Sequence, residues 1–280
     1  MKVELMGLVG HGFVGEAVYE NLKDDYTFLI YDKNPDKANC DNIKYIVDNA
    51  KVIFVALPTP MYLNGECDLS IIFDVMEEIY KHYNNNIVII KSTVIPGTCK
   101  EIHKRYPNMR IVFNPEFLTE ANHIQDFKNC NRMIFGGNSE DTNECVKILK
   151  NIFPDKAYFT TDWEAAEVVK YFINAFLSTK VSFANEMKQI CDVIDTDYDD
   201  IVALVLHDER IGKSHFKAPG PDGYHGFGGK CFPKDLNALI YFSEKNSVKS
   251  SILKASWENL EVREVHDWLN IAYATSGGSK

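Results

Sequence analysis

The sequence predicts an α/β fold: a Rossmann-type, doubly wound and mainly parallel sheet followed by a smaller all-helical domain. Three observations carry that expectation. Short apolar runs alternate with helical patterns in the first part of the chain, a glycine fingerprint follows the first run, and the pattern turns wholly helical from about residue 162. The runs at 2–7, 27–31, 52–57, 87–91, 110–113 and 132–136 read as strands, and 15–22, 71–82 and 142–152 read as helices. Alternation of this kind places parallel strands side by side with helices on both faces.

Residues 164–194 form one helical run without proline or glycine, with Val168, Val169, Phe172, Ala175, Phe176 and Phe183 at three–four spacing. Ser182 and Glu186 on that run are expected to face polar surroundings. Residues 212–229 are rich in glycine, proline and histidine and read as an ordered loop. Helical patterns return at 235–244 and 252–270.

Composition narrows the class. A chain of 280 residues with 45% hydrophobic and 25% charged residues has the profile of a globular protein of one or two domains. No apolar run approaches the ~18 residues of a membrane span, and the first residues lack a signal-peptide layout. Seven cysteines at irregular spacing, without a CxxC pair, argue against a disulfide framework or a zinc site. No metal is expected, and a reducing cytoplasm fits best. A formal charge of -10 argues against wholesale nucleic-acid binding.

Gly10-His11-Gly12-Phe13-Val14-Gly15 matches G-x-G-x-x-G between a strand and a helix. Gly10 permits the tight turn, Gly12 lets a pyrophosphate approach the backbone, and Gly15 lets the helix pack closely on the strand. Asp32 closes the second strand at the offset where a carboxylate binds adenine-ribose hydroxyls, so NAD is favoured over NADP, with Lys33 next door as a reservation. The run 52–57 ends in Pro58-Thr59-Pro60, which is expected to wall the cofactor site. Lys91-Ser92-Thr93 ends the next strand in the same way, either as a functional turn or as an ordinary one before Pro96-Gly97. The expected domains are therefore 1–160, binding NAD, and 161–280, helical.

Gly226-Phe227-Gly228-Gly229-Lys230-Cys231-Phe232-Pro233-Lys234-Asp235 sets a thiol between a glycine-rich turn and a lysine–aspartate pair. A nearby ammonium favours thiolate and an adjacent carboxylate can relay a proton. The combination suits a cysteine nucleophile attacking a carbonyl carbon. Lys170 and Asn174, four apart on one helix, share a face and can donate to a developing oxyanion.

With these pieces the chain resembles the UDP-glucose/GDP-mannose dehydrogenase family. The resemblance rests on Gly10–Gly15, Pro58-Thr59-Pro60, Asp68-Leu69-Ser70, Lys91-Ser92-Thr93-Val94-Ile95-Pro96-Gly97-Thr98, Asn114-Pro115-Glu116-Phe117-Leu118-Thr119-Glu120-Ala121, Lys170-Tyr171-Phe172-Ile173-Asn174-Ala175-Phe176 and the Cys231 segment, in the family's order. It implies a four-electron oxidation of a sugar primary alcohol to a carboxylate with two NAD. Cys231 would trap the aldehyde as a thiohemiacetal that becomes a thioester. Lys170 and Asn174 would face the oxidised carbon, Asp235 and Thr93 would hold a water, and Glu120 would assist hydrolysis. Glu116, Phe117 and Leu118 are expected at the substrate, and Thr93, Glu120 and Lys234 at the cofactor. Glu116 and Glu120 would split their roles, unless they are a solvated loop pair.

Arg210 matches an arginine reaching the neighbouring subunit's substrate, with a surface ion pair as the plain alternative. Phe227 and Gly228 would line the sugar pocket. His215 and His225 read as loop residues, and the long helix as a homodimer element. Family members usually continue into a further nucleotide-type domain, whereas this chain stops at Lys280, so a short form, natural or trimmed, is expected. Two other readings stay open: a two-electron hydroxyacid dehydrogenase, against which Cys231 argues, and a non-catalytic NAD-binding subunit.

Overall fold

The structure is a computed structural model that describes residues 5–263. The expected strand at 2–7 therefore begins outside the described residues. The expected helix at 252–270 ends as an α-helix at Glu258 and gives way to a 3-10 turn at Asn259–Val262. Its last residues lie outside the described ones, as does the small polar tail at 275–280. The chain divides into two compact units, the first holding 1–59 and 68–170, the second 60–67 and 171–280. By contacts the division falls inside a helix, after Lys170. It also returns the short segment 60–67 to the second unit.

The first unit is built on a sheet of seven strands, β1 (Leu5–Val9), β2 (Thr27–Tyr31), β3 (Val52–Val55), β4 (Ile87–Ile90), β5 (Arg110–Phe113), β6 (Arg132–Gly137) and β7 (Ala157–Thr161), in the order β2-β1-β3-β4-β5-β6-β7. Every pairing is parallel except β5 with β6. Because side chains alternate across a strand, Ile53 and Val55 enter one core while Val52 and Phe54 enter the other. The first core packs against α2 (Ile43–Asn49), α3 (Ser70–Lys81) and α4 (Thr98–Arg105). The second packs against α1 (Phe13–Leu22), α5 (His123–Asn129) and α6 (Ser139–Lys150).

Helix α7 (Trp163–Val193) runs through the division between the units. Its apolar pattern is turned inside out. Phe172, Phe176, Phe183 and Ile190 are more than half exposed, while Lys170, Asn174, Ser178, Ser182 and Asn185 are buried. Ser182, expected in polar surroundings, is instead buried and donates to the Ser256 carbonyl at 3.1 Å. Glu186 is exposed and accepts from Asn259 at 2.8 Å.

The second unit adds α8 (Tyr198–Val205), α9 (Phe232–Lys245) and α10 (Ser251–Glu258), with a short 3-10 turn after it. The segment 60–67, closed by a bridge between Met61 and Cys67, packs on α9, where Asn237 donates to the Met61 sulfur.

Candidate functional site

In the first unit the chain leaves β1 through Gly10. Its φ is +94°, and a Cβ there would stand 2.4 Å from the Ala56 carbonyl oxygen, so only glycine fits. A Cβ on Gly15 would lie 2.1 Å from the Gly10 carbonyl oxygen, which sets how closely α1 seats on the turn. A Cβ on Gly12 would meet nothing within 4 Å, so the backbone there borders open space. Gly12 is the N-cap of α1, Phe13 and Val14 are its first residues, and no side chain caps the turn. The leading N–H groups and the positive end of the helix dipole are thus left for an anion.

Asp32 follows β2, its Oδ2 accepting from the His11 amide at 2.6 Å and its Oδ1 from the Asn34 amide at 2.8 Å. An open glycine cradle beside a fixed carboxylate fits a dinucleotide: pyrophosphate on the former, ribose hydroxyls at the latter. The Leu57 amide donates to Ser92 Oγ and Thr59 Oγ1 donates to the Thr93 carbonyl, both at 2.7 Å. These bonds tie the turn of Pro58 and Thr59 after β3 to the turn of Thr93 after β4. Both turns lie at the carboxyl ends of strands, where doubly wound sheets bind ligands.

A buried charge cluster lies in the same unit. Lys170 Nζ donates to the Glu116 carbonyl at 2.7 Å and to its Oε1 at 2.8 Å, and Glu116 Oε2 accepts from the Leu118 amide at 2.7 Å. The Phe117 ring stands 5.7 Å from the Lys170 ammonium. Lys91 Nζ donates to Asn114 Oδ1 at 2.7 Å and to its carbonyl at 3.2 Å. Burial lowers the Lys91 pKa to about 8, against the pull of the Glu116 carboxylate. Glu120 is exposed in the turn 120–122. The two glutamates expected to split their roles thus have unlike surroundings, one sealed in an ion pair and one at the surface.

Glu167, one turn before Lys170, is fully buried and accepts from the Gly97 amide at 2.6 Å and the Cys99 amide at 2.8 Å. Burial pushes its pKa up to about 7, opposed by those amides.

In the second unit Cys231 is the N-cap of α9, partly exposed, with Pro233 in the first turn. A helix N-terminus favours thiolate. Asp235 is 1% exposed; its Oδ2 accepts from Asn174 Nδ2 at 2.6 Å and its Oδ1 from Lys234 Nζ at 2.5 Å. Burial opposes the Lys234 charge, but Asp235 and the nearby sulfurs of Cys67 and Cys231 hold its pKa above the ordinary value. Asn174, Lys234 and Asp235 are thus brought together just past the thiol.

Other expected residues are placed differently. The Phe227 side chain is buried in the core with Ala175, Leu236 and Ile240. The Arg263 guanidinium fills the space beside Gly228, 2.3 Å from where a Cβ would stand, and donates to Asp222 at 2.7 Å. Arg210 is exposed and pairs with Asp208 through Nε at 2.8 Å and Nη2 at 2.5 Å. His225 bonds Asn185 Oδ1, which also accepts from the Gly226 amide at 3.1 Å. Among the described residues no group of three or more His, Cys, Asp or Glu is placed to hold a metal, and no helix is long and apolar enough to cross a membrane.

Sequence reasoning gave no role to Asn114, Glu167, Asn185 or Arg263, and considered Lys91 only within the turn after β4. The one local signal was a row of polar residues recurring every three or four positions along α7, masked by the phenylalanines between them.

Residues 30–155 match the UDP-glucose/GDP-mannose dehydrogenase family, NAD binding domain, and residues 164–259 match the central domain of the same family. The first match begins after the glycine turn, so the fit there rests on geometry. The UDP-glucose 6-dehydrogenase of Rickettsia conorii is 34% identical over 244 residues, which are 85% of this chain and 55% of that protein. That of Rickettsia prowazekii is 33% identical over 271 residues, 94% of this chain and 61% of that one. The chain therefore spans little more than half the length of these relatives. A UDP-glucose dehydrogenase from the hyperthermophilic archaeon Pyrobaculum islandicum superposes with a TM-score of 0.79 at 26% identity, over 92% of this chain and 68% of that one. By sequence and by fold, through its NAD-binding and central domains, the chain belongs to the UDP-glucose/GDP-mannose dehydrogenase family.

Proposed function

We propose that this chain oxidises the primary alcohol of a nucleotide sugar to a carboxylate in two NAD-dependent steps, with UDP-glucose going to UDP-glucuronate as the first candidate. The observation that carries the reading is Cys231 at the start of α9, followed within one turn by the Lys234–Asp235–Asn174 cluster. A simple alcohol oxidation needs no such thiol.

NAD, when bound, is the two-electron acceptor for each oxidation, and Gly10, Gly12, Phe13, Val14, Gly15 and Asp32 would hold it. The alcohol loses two electrons and two protons, one from carbon and one from the hydroxyl, to become the aldehyde, whose carbonyl oxygen takes donors from Lys170 and Asn174. The Cys231 thiolate adds to the aldehyde carbon, forming a C–S bond, and the oxygen gains a proton to give the thiohemiacetal. Loss of two further electrons and two protons, one from carbon and one from the hydroxyl, leaves the thioester. Water, held by Asp235 and Thr93 and assisted by Glu120, attacks that carbon; the C–S bond breaks, sulfur departs as thiolate, and the acid ionises.

NADH formation over a panel of nucleotide sugars tests this, with two NADH expected per sugar. Cys231→Ser should stop at the aldehyde and leave NAD binding intact. No turnover by the folded protein across the panel overturns the proposal, and one NADH per product transfers it to the two-electron class.

The partner we propose is a second copy of the chain. Phe172, Phe176, Phe183 and Ile190, at spacings of four, seven and seven on α7, are 68%, 60%, 55% and 52% exposed. That is a continuous apolar stripe, of the kind that packs against another helix. We place the protein in the cytoplasm, because seven cysteines at irregular spacing, without a CxxC pair, suit a reducing compartment.

A further inference from the structure

Lys91 lies at the end of β4 and is 3% exposed. An ammonium out of water is costly, and a methionine of similar length would fill the space beside the Phe127 ring without that cost. What the ammonium does is grip Asn114 by both side-chain and main-chain oxygens, at 2.7 and 3.2 Å. Asn114 is held again from the other side, its Nδ2 donating to the Ile134 carbonyl at 2.7 Å. Pro115, with its fixed φ, then passes that orientation to Glu116. Both atoms that Glu116 offers to Lys170, its carbonyl and Oε1, depend on this short rigid link.

Charge adds a second effect. The charged groups facing Lys91 are Glu116 and Lys170, with the Cys130 thiol beside them. Lys170 pairs with the Glu116 carboxylate directly, while Lys91 acts on it through space. A second positive charge there has the sign that a developing oxyanion requires.

We infer that Lys91 is a positioning residue for the Glu116–Lys170 pair: it fixes Glu116 through Asn114 and sets a second positive charge beside the carboxylate. The inference rests on the role given to Lys170 above. The experiment therefore has two arms, both on the full chain.

In the first, isotope-labelled lysine side chains are titrated by NMR, with Lys91→Met supplying the assignment. The Lys91 signal should titrate near pH 8, and in Glu116→Gln it should move lower by about one unit or more, since the carboxylate that favours its charge is gone. A Lys91 signal that titrates with the surface lysines, or that ignores Glu116→Gln, overturns the inference. In the second arm, Lys91→Met should lower kcat about 10- to 100-fold, as expected when a reacting group is misplaced by about 1 Å, with KM for NAD changed less than ~2-fold. An unchanged kcat in a folded Lys91→Met protein also overturns it. If the unaltered chain oxidises no sugar, the functional reading fails by itself while the NMR arm still decides the placement.

Discussion

Glu167 allows the balance between burial and helix capping to be measured directly. Its carboxyl is fully buried, accepts from the Gly97 and Cys99 amides at the start of α4, and has its pKa raised from 4.5 to about 7 by burial. At ~1.4 kcal/mol per pKa unit, ionising it in the folded protein costs about 3 kcal/mol more than in the unfolded chain. The unfolded chain releases this proton near pH 4.5 and the folded one near pH 7. Between those values the folded state holds the extra proton, so the stability contributed by this group falls as pH rises and levels off above the window.

Glu167→Gln has no proton to lose but can satisfy only one of the two amides, at a constant cost of about 1 kcal/mol. Urea denaturation of both proteins at constant ionic strength, from about pH 5 to about pH 8, should show the stability difference shifting by about 3 kcal/mol toward the variant. A flat difference refutes the reasoning. A shift toward the unaltered protein would mean that the two amides and the α4 dipole outweigh burial.

Three further outcomes follow from the same physics. Arg110→Ala strands the buried Asp141 carboxylate, to which Arg110 Nε donates at 2.6 Å, and should cost about 3–5 kcal/mol in urea denaturation; Arg105→Ala, at an exposed pair with Glu101, should cost less than ~1 kcal/mol. Gly15→Ala forces a Cβ against the Gly10 carbonyl; the folded variant should lose about 1–3 kcal/mol of stability, with weaker NAD binding by fluorescence titration. Phe172→Glu with Phe176→Glu should leave a monomer by light scattering, and a dimer of unchanged mass would remove α7 as the contact.

The sheet was legible because each central strand is a short apolar run buried on both faces, as Val52–Val55 and Ile87–Ile90 are. β7 escaped notice because it is an edge strand, mostly exposed, with no apolar alternation to betray it. Helices α2, α4, α5 and α8 are only seven or eight residues long, too short for a periodic pattern, and tertiary packing decides them, with side-chain caps from Asn42 on α2 and Asp197 on α8. The glycine turn and Asp32 were readable because their spacing is local. The cluster of Lys91, Asn114, Glu116 and Lys170 was not, since strand order alone brings those positions together. On α7 the apolar periodicity was legible, but the burial of Lys170, Asn174, Ser178 and Ser182 was not, because a polar row between phenylalanines carries no sign of which side is covered.

The two main-chain bonds to Asp32 bear on how tightly a cofactor can be held. With His11 and Asn34 each gripping one oxygen, the carboxylate has a single rotamer before any ligand arrives. A ribose that docks there freezes no wandering acid, so the penalty of about 0.5–1.5 kcal/mol usual for immobilising a side chain on association has been met during folding.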